Sequence, residues 1–331
     1  MSAEFNAIVA ELNSEGKPAA GLKRISLGDV PDEDVLIDVA YSTVNYKDGL
    51  AVTGKGKICR QFPMVCGIDL SGTVIESRND KWQAGDQVLV NGFGLSEDHW
   101  GGYAQQQKVK SEFLVQVPDA FNLEQVMAIG TAGYTAMLCV NAIEDHETKP
   151  DDGPVLVTGA AGGVGSVAVM ALAKLGYEVH ASTGRPETES YLKSLGAKEI
   201  VARDDLARDA KPLERETWAA VVDCVGDKTL ATAIAQTKHE GIVAPCGLAG
   251  GFGLPATVMP LILRGVTVRG VESIMTSMAR RERAWQSLAN LVDQKLLDDV
   301  YTVEPLSAVP ELANTILAGK IQGRVVIDVN A

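Results

Sequence analysis

Residues 155–176 read VLVTGAAGGVGSVAVMALAKLG. An apolar run stops at Thr158; Gly159, Gly162, Gly163 and Gly165 follow; then an alanine-rich apolar stretch begins. Few folds accommodate such a segment, because it has to be a strand turning sharply into a helix. The spacing Ala160-x-Gly162-x-x-Gly165 is a dinucleotide fingerprint with alanine in the first glycine position. The middle glycine lets the backbone approach a pyrophosphate, and the last lets the helix pack on the strand. The helix start presents unpaired N–H groups and the positive end of its dipole to phosphate. Ala161, Gly162, Gly163, Val164 and Gly165 are therefore candidate cofactor contacts. The alternative is a glycine-rich turn with no ligand. Against it stands the context: a strand before, a helix after, and a second strand, YEVHAS, at the expected distance.

That second strand ends in VHASTGRPE, residues 179–187. In such units an acid here accepts from the adenosine ribose and favours NAD. This stretch has no acid before Glu187 and offers Ser182, Thr183, Gly184 and Arg185. An acid would repel a 2′-phosphate, whereas a guanidinium pairs with it bidentately. The cofactor expected is NADPH, held at its 2′-phosphate by Thr183 and Arg185. An exposed turn arginine is the plain alternative. Arg203, after the strand EIVA, is a further candidate, with a local pair to Asp204 or Asp205 as its rival.

Up to about residue 120 the pattern is different. NAIVAEL, DVLIDVAYSTV, DLSGTVIES, GDQVLVNGF and GGYAQQQKVKSEFLVQVPD are short β-like runs bounded by Gly, Asp or Asn, the signature of a compact barrel-like unit. Beyond it, NLEQVMAIGTAGYTAMLCVNAIEDH has helical spacing with Asn122 and Gln125 as a capping box. Strands and helices then alternate through GIVAPCG to GVTVRGV and the helical run RRERAWQSLANLVDQKLL, as expected of a parallel sheet covered on both faces. The tail KIQGRVVIDV reads as a strand returning to the first unit. The division expected is 1–123 with 301–331, and 124–300.

The 331 residues carry 30 Lys and Arg against 43 Asp and Glu, a net charge of −13. A negative surface disfavours nucleic acid and anionic membranes as partners. MSAEFNAIVAELNSEG has an early acid and no apolar run, so it is not read as a signal peptide, and no stretch is read as a membrane span. The five scattered cysteines lack C-x-x-C spacing, which points to reduced thiols and a cytoplasmic location.

The order of the units, together with NYKDGLAVTG, PMVCGIDLSGTV, AGDQVLV, GGYAQ, GTAGYTAM, GAAGGVG and GLAGG, resembles the medium-chain dehydrogenase/reductase superfamily over nearly the whole chain. Within its zinc-free quinone oxidoreductase branch, NYKDGLAVTGKGKICRQFPMVCGID, DHWGGYAQ, GTAGYTAMLCVNAIED and CGLAGGFGLPATVMPLILRGV are similar to the NADPH-dependent acrylyl-CoA reductase family. The resemblance implies an α/β fold: a GroES-like β-barrel-type catalytic domain plus a Rossmann doubly wound parallel sheet for the cofactor. Zinc-dependent relatives carry Cys where Asn45 stands and His where Ile68 stands, and they have a four-Cys lobe where NGFGLSEDHWGGYAQQQ has none. Cys59, Cys66, Asp69 and His99 match no common zinc spacing, so no metal is expected.

Without zinc, reduction of an activated C=C bond remains accessible. Hydride adds to the β-carbon of an enoyl thioester, charge develops on the thioester oxygen, and the α-carbon takes a proton. Asn45 and Tyr46 are the candidate donors, Tyr46 also as a cofactor contact. Turn chemistry is an equal reading for Asn45 and Asp48, with Lys47 and Asp48 as a local pair. The resemblance further places Leu248, Ile262 and Ser273 near the cofactor, and Arg324 at the cleft edge as a third catalytic candidate, with a surface ion pair as its alternative. The loop GLAVTGKGKICRQFP lacks the tyrosine of the wider enoyl-reducing branch, which leaves water as a rival proton donor. The leading expectation is reduction of acrylyl-CoA or a close short enoyl-CoA. The alternatives are a quinone or enal reductase, and an NADPH-binding redox sensor with little turnover. The β-branched GVTVRGVESI suggests an edge strand pairing two copies as a homodimer.

Overall fold

The computed structural model describes residues 4–331. The chain divides into two compact units, Met1–Thr131 with Leu297–Ala331, and Ala132–Leu296.

The strand Val35–Thr43 is the hub of the first unit. It pairs antiparallel with Asp69–Ser77, Gln106–Val109 and Arg324–Asp328. Its alternation explains why: Val35, Ile37 and Val39 are wholly buried, contributing roughly 1.5–3 kcal/mol each. The sheet runs in the order Tyr301–Pro305, Arg324–Asp328, Val35–Thr43, Asp69–Ser77, Gln87–Asn91 and Val115–Gln116. The C-terminal strand thus returns to the first unit, Val326 opposite Thr43. A second sheet joins Pro18–Ser26, Glu4–Leu12 and Met64–Val65. Together these make the GroES-like unit.

The second unit is built on a parallel sheet ordered Glu199–Ala202, Val179–Thr183, Val155–Val157, Trp218–Asp223, Thr237–Pro245 and Thr267–Val268. Every pairing in it is parallel, the Rossmann arrangement. The chain runs outward from Val155–Val157 to one edge, then returns to Trp218–Asp223 and runs to the other. The switch point between those two central strands is where such sheets bind ligands, at the carboxyl ends. Leu156, Val221 and Val243 are buried at the centre of this unit's core.

Three expectations are corrected. A helix over Leu123–Asp145 does have the length and apolarity of a membrane span, but 94% of its apolar window is buried, so it is a core helix. Its Asn122–Gln125 capping box is present: the Gln125 N–H donates to Asn122 Oδ1 at 2.8 Å, and the Asn122 N–H to Gln125 Oε1 at 3.2 Å. The run 280–297 is two helices, Met278–Leu291 and Gln294–Asp298. Buried Val292 is extended between them, and Asp293 Oδ1 accepts the Lys295 N–H at 2.9 Å. GVTVRGV keeps only Thr267–Val268 as regular strand.

Candidate active site

In the nucleotide unit, Val155–Val157 runs into Gly159, whose φ of +60° turns the chain, and the helix Gly163–Lys174 starts behind Gly162. Gly165 is obligatory for this approach: a Cβ there would come within 2.5 Å of Ala160 Cα and Gly159 O. Ala161 is buried, while Gly162, Gly163 and Val164 are half-buried at the helix start. Asp223, at the end of the neighbouring strand, locks this floor. Its Oδ1 accepts from Thr158 Oγ1 at 2.7 Å, and its Oδ2 from the Gly226 N–H at 2.8 Å. Burial pushes its carboxyl up to about 6 despite those donors.

Strand register assembles the other side. Ser182 and Thr183 lie opposite Val201 and Ala202, so Gly184 and Arg203 come next. Arg203 accordingly lies over Gly184, where a Cβ would fall 2.2 Å from its Cζ. Arg185 Nη2 donates to the Ala161 carbonyl at 3.2 Å, tying this turn to the glycine turn. Ser182 and Thr183 are buried, and Thr183 Oγ1 accepts the Arg185 N–H at 3.1 Å and contacts Thr188 Oγ1 at 3.3 Å. The two arginines supply this turn's positive charge. A pyrophosphate seat beside two guanidiniums fits a 2′-phosphorylated dinucleotide.

Leu248 and Ile262 are 59% and 73% exposed. Ser273 is half-buried, and its carbonyl and that of Ile274 face Arg281 Nη2 at 3.4 and 3.2 Å. Arg281 is wholly buried and sits 4.7 Å from the Tyr134 ring centroid. The sequence gives no sign of this, because Arg281 belongs to a run of charges that reads as a solvated helix face.

The first unit holds a buried polar cluster. Asn45 precedes the helix Tyr46–Thr53. Asp48 Oδ2 accepts the Asn45 N–H at 2.9 Å and Asn45 Nδ2 at 3.0 Å, and its Oδ1 accepts the Ile68 N–H at 2.9 Å. Asn45 Nδ2 also donates to Asp69 Oδ2 at 2.8 Å. Asp69 further accepts Asn91 Nδ2 at 2.8 Å, the Thr131 N–H at 3.0 Å and Thr131 Oγ1 at 2.5 Å. Burial first, and the Asp69 carboxylate second, push Asp48 up to about 7.

Gly130 makes this cluster possible. Its φ of +52° breaks the helix, so Thr131 turns its N–H to Asp69 and Ala128 turns its carbonyl to Arg324 Nε at 3.0 Å. A side chain at Gly130 would strike Arg324 Nη2 at 2.6 Å.

Three expectations change here. Arg324 does not stand at an edge: it is 3% exposed and bound to Ala128 O, to Val44 O at 3.2 Å and to Thr43 Oγ1 at 2.8 Å. The amide hydrogens of Asn45 are already spent on two carboxylates. Lys47 pairs with Glu97 and not with Asp48. Tyr46 is 44% exposed.

These residues do not fit a zinc ion. Asn45 turns N–H donors to two carboxylates where a metal ligand would have to offer a lone pair, Ile68 offers only its backbone, and the Asp69 oxygens hold four hydrogen bonds. Among the described residues no group of three or more His, Cys, Asp or Glu is placed to hold a metal.

Comparison with known proteins agrees with both units. Residues 31–119 match the alcohol dehydrogenase GroES-like domain family, and residues 163–293 the zinc-binding dehydrogenase family. Acrylyl-CoA reductase AcuI of Ruegeria pomeroyi is 51% identical over 329 residues, covering 99% of this chain and all of the relative. The structure of YhdH of Escherichia coli K-12 with bound NADPH superposes with a TM-score of 0.95 at 48% identity, covering 98% of this chain and 100% of that one. That of YhfP of Bacillus subtilis with NAD bound gives 0.95 at 41% identity, covering 99% and 100%. The chain belongs to the medium-chain dehydrogenase/reductase superfamily and, within it, to the family of the acrylyl-CoA reductases.

Proposed function

We propose that the protein is an NADPH-dependent reductase that converts acrylyl-CoA to propionyl-CoA. The observation that carries this reading is similarity at 51% identity over the full length to an acrylyl-CoA reductase. The site supports it, since two arginines flank the nucleotide turn and, among the described residues, no group of three or more His, Cys, Asp or Glu is placed to hold a metal. NADPH, when bound, supplies the hydride that adds to the β-carbon. The Gly162–Gly165 turn would hold its pyrophosphate, Arg185 and Arg203 its 2′-phosphate, and Leu248, Ile262 and Ser273 would line its path.

Tyr46 is the proposed donor to the α-carbon or the thioester oxygen, because it is an exposed tyrosine that follows Asn45 of the polar cluster directly. Asn45 and Arg324 act through others: Asn45 anchors the start of the Tyr46 helix to Asp48 and Asp69, and Arg324 holds the Gly130 break. The test is steady-state turnover of NADPH with acrylyl-CoA. The expected result is propionyl-CoA from the wild type and, in Tyr46→Phe, a kcat about a hundredfold lower, the low end of what a positioned proton donor contributes, with NADPH affinity kept. An unchanged kcat removes Tyr46 from the chemistry.

The protein is further proposed to be a cytoplasmic homodimer. The five cysteines are free, as a reducing compartment requires. Thr267–Val268 is a sheet edge, and the preceding segment exposes Phe252, Leu254, Val258 and Leu263, Phe252 at 96%. Sedimentation should give twice the 35.0 kDa chain mass at micromolar concentration; a monomer would contradict it.

A further inference from the structure

Two cysteines end adjacent strands of the nucleotide sheet. Asp223 is in register with Pro245, and Cys224 and Cys246 are the next residue on each strand. Neighbouring strands lie about 4.8 Å apart, inside the Cα separation of about 4.4–6.8 Å that a disulfide spans. The two Sγ atoms are already 3.9 Å apart, and both residues are half-buried. Both sit in the floor of the cofactor seat. The Cys224 N–H donates to Thr158 Oγ1 at 3.0 Å, and its carbonyl accepts the Ala249 N–H at 3.3 Å. A Cβ on Gly159 would lie 3.3 Å from Cys224 Cβ. Cys246 opens the segment that carries Leu248.

We propose that Cys224 and Cys246 form a peroxide-sensitive thiol pair whose disulfide disables the nucleotide seat. The Cys246 thiolate attacks one oxygen of hydrogen peroxide, the O–O bond breaks, and a sulfenic acid and hydroxide result. The Cys224 sulfur then displaces hydroxide from that sulfenic sulfur. In sum, two thiols and one peroxide give one disulfide and two waters, both sulfurs being oxidised by one electron each and the two peroxide oxygens reduced. The Cys139 and Cys224 thiols stabilise the Cys246 thiolate and hold Cys246 below the usual thiol range, which suits the attacking role. Closing 3.9 Å to a bond of about 2.05 Å turns the two side chains toward each other and locks the ends of the two strands in one geometry. That restraint acts on Cys224 where it faces Gly159 and on Cys246 at the head of the Leu248 segment. The consequence for binding rests on the NADPH reading; the disulfide itself does not.

The experiment is to treat the whole protein with hydrogen peroxide, block the remaining thiols, map the disulfides by peptide mass, and titrate NADPH by fluorescence before and after dithiothreitol. The expected result is a Cys224–Cys246 bond, an NADPH Kd raised at least tenfold, and recovery on reduction. Cys246→Ser and Cys224→Ser, each compared with its own untreated baseline, should show no peroxide-dependent change, while Cys59→Ala should respond like the wild type. Absence of the bond, a bond to Cys139 instead, or a Kd unchanged in the bonded protein overturns the proposal. If the reduced protein fails to bind NADPH, it is the cofactor reading that falls, and the disulfide map still reports on the pair.

Discussion

Arg185→Asp is expected to weaken NADPH binding by about two orders of magnitude while leaving NADH within a few-fold. A hydrogen bond to a charged group contributes about 1.5–3 kcal/mol. A guanidinium facing a phosphate makes up to two of them, and a carboxylate in its place adds repulsion. In the proposed reading the guanidinium carries this load, as the charged group of the turn, while Thr183 Oγ1 already accepts the Arg185 N–H and contacts Thr188. Arg203 supplies a second charge over Gly184, so Arg203→Ala should show the same selectivity with a smaller loss. Fluorescence titration with both nucleotides is the check. Equal loss of both would mean that the turn itself had collapsed, since Arg185 also holds Ala161. If neither nucleotide is affected, the 2′-phosphate lies elsewhere.

The second large effect is a pH dependence that belongs to Asp48. Its folded carboxyl is raised to about 7 from an ordinary value of 3.8. Between those two values the folded protein binds more protons than the unfolded chain, so stability falls as pH rises. The contribution is therefore complete below pH 3.8 and lost as pH passes 7. At about 1.4 kcal/mol per pH unit, the loss is of the order of a few kcal/mol.

Asp48→Asn cannot ionise, so this slope should vanish in it. The variant also carries a fixed penalty. No orientation of an amide accepts both Asn45 donors on one side and the Ile68 N–H on the other, and a buried donor left unsatisfied costs about 1–3 kcal/mol. Urea unfolding of both proteins from pH 4 to pH 8 should show the wild type losing its advantage as pH rises. Parallel stability curves would mean that Asp48 titrates normally.

How much of this was legible from sequence depends on range. Gly162 and Gly165 announced the nucleotide turn because a strand, a tight turn and a helix are contiguous and each leaves a local pattern. Arg185 was visible for the same reason, since it follows directly from the end of a strand. Arg203 was only a candidate, and the parallel register of Thr183 with Ala202 is what sets it over Gly184. The polar cluster was hardly legible. Asn45, Asp69, Asn91 and Thr131 are spread over 86 positions of chain and meet only through sheet pairing and the break at Gly130. Read from sequence, Arg324 stood as a cleft-edge candidate with a surface ion pair as its alternative. Its burial follows from a strand that crosses back to Val35–Thr43 from 280 residues away, as its bond to Val44 O shows. The helix Leu123–Asp145 was legible by its spacing, but its apolarity over the length of a membrane span was overlooked; packing adds that 94% of its apolar window is buried.

The most direct test of the central claim is NADPH oxidation by the wild-type protein, measured side by side with acrylyl-CoA, with a simple quinone and with no acceptor. The account predicts rapid oxidation with acrylyl-CoA, stoichiometric propionyl-CoA, and rates with the other two at least a hundredfold lower. Preference for the quinone, or tight NADPH binding with no turnover on any acceptor, would contradict it.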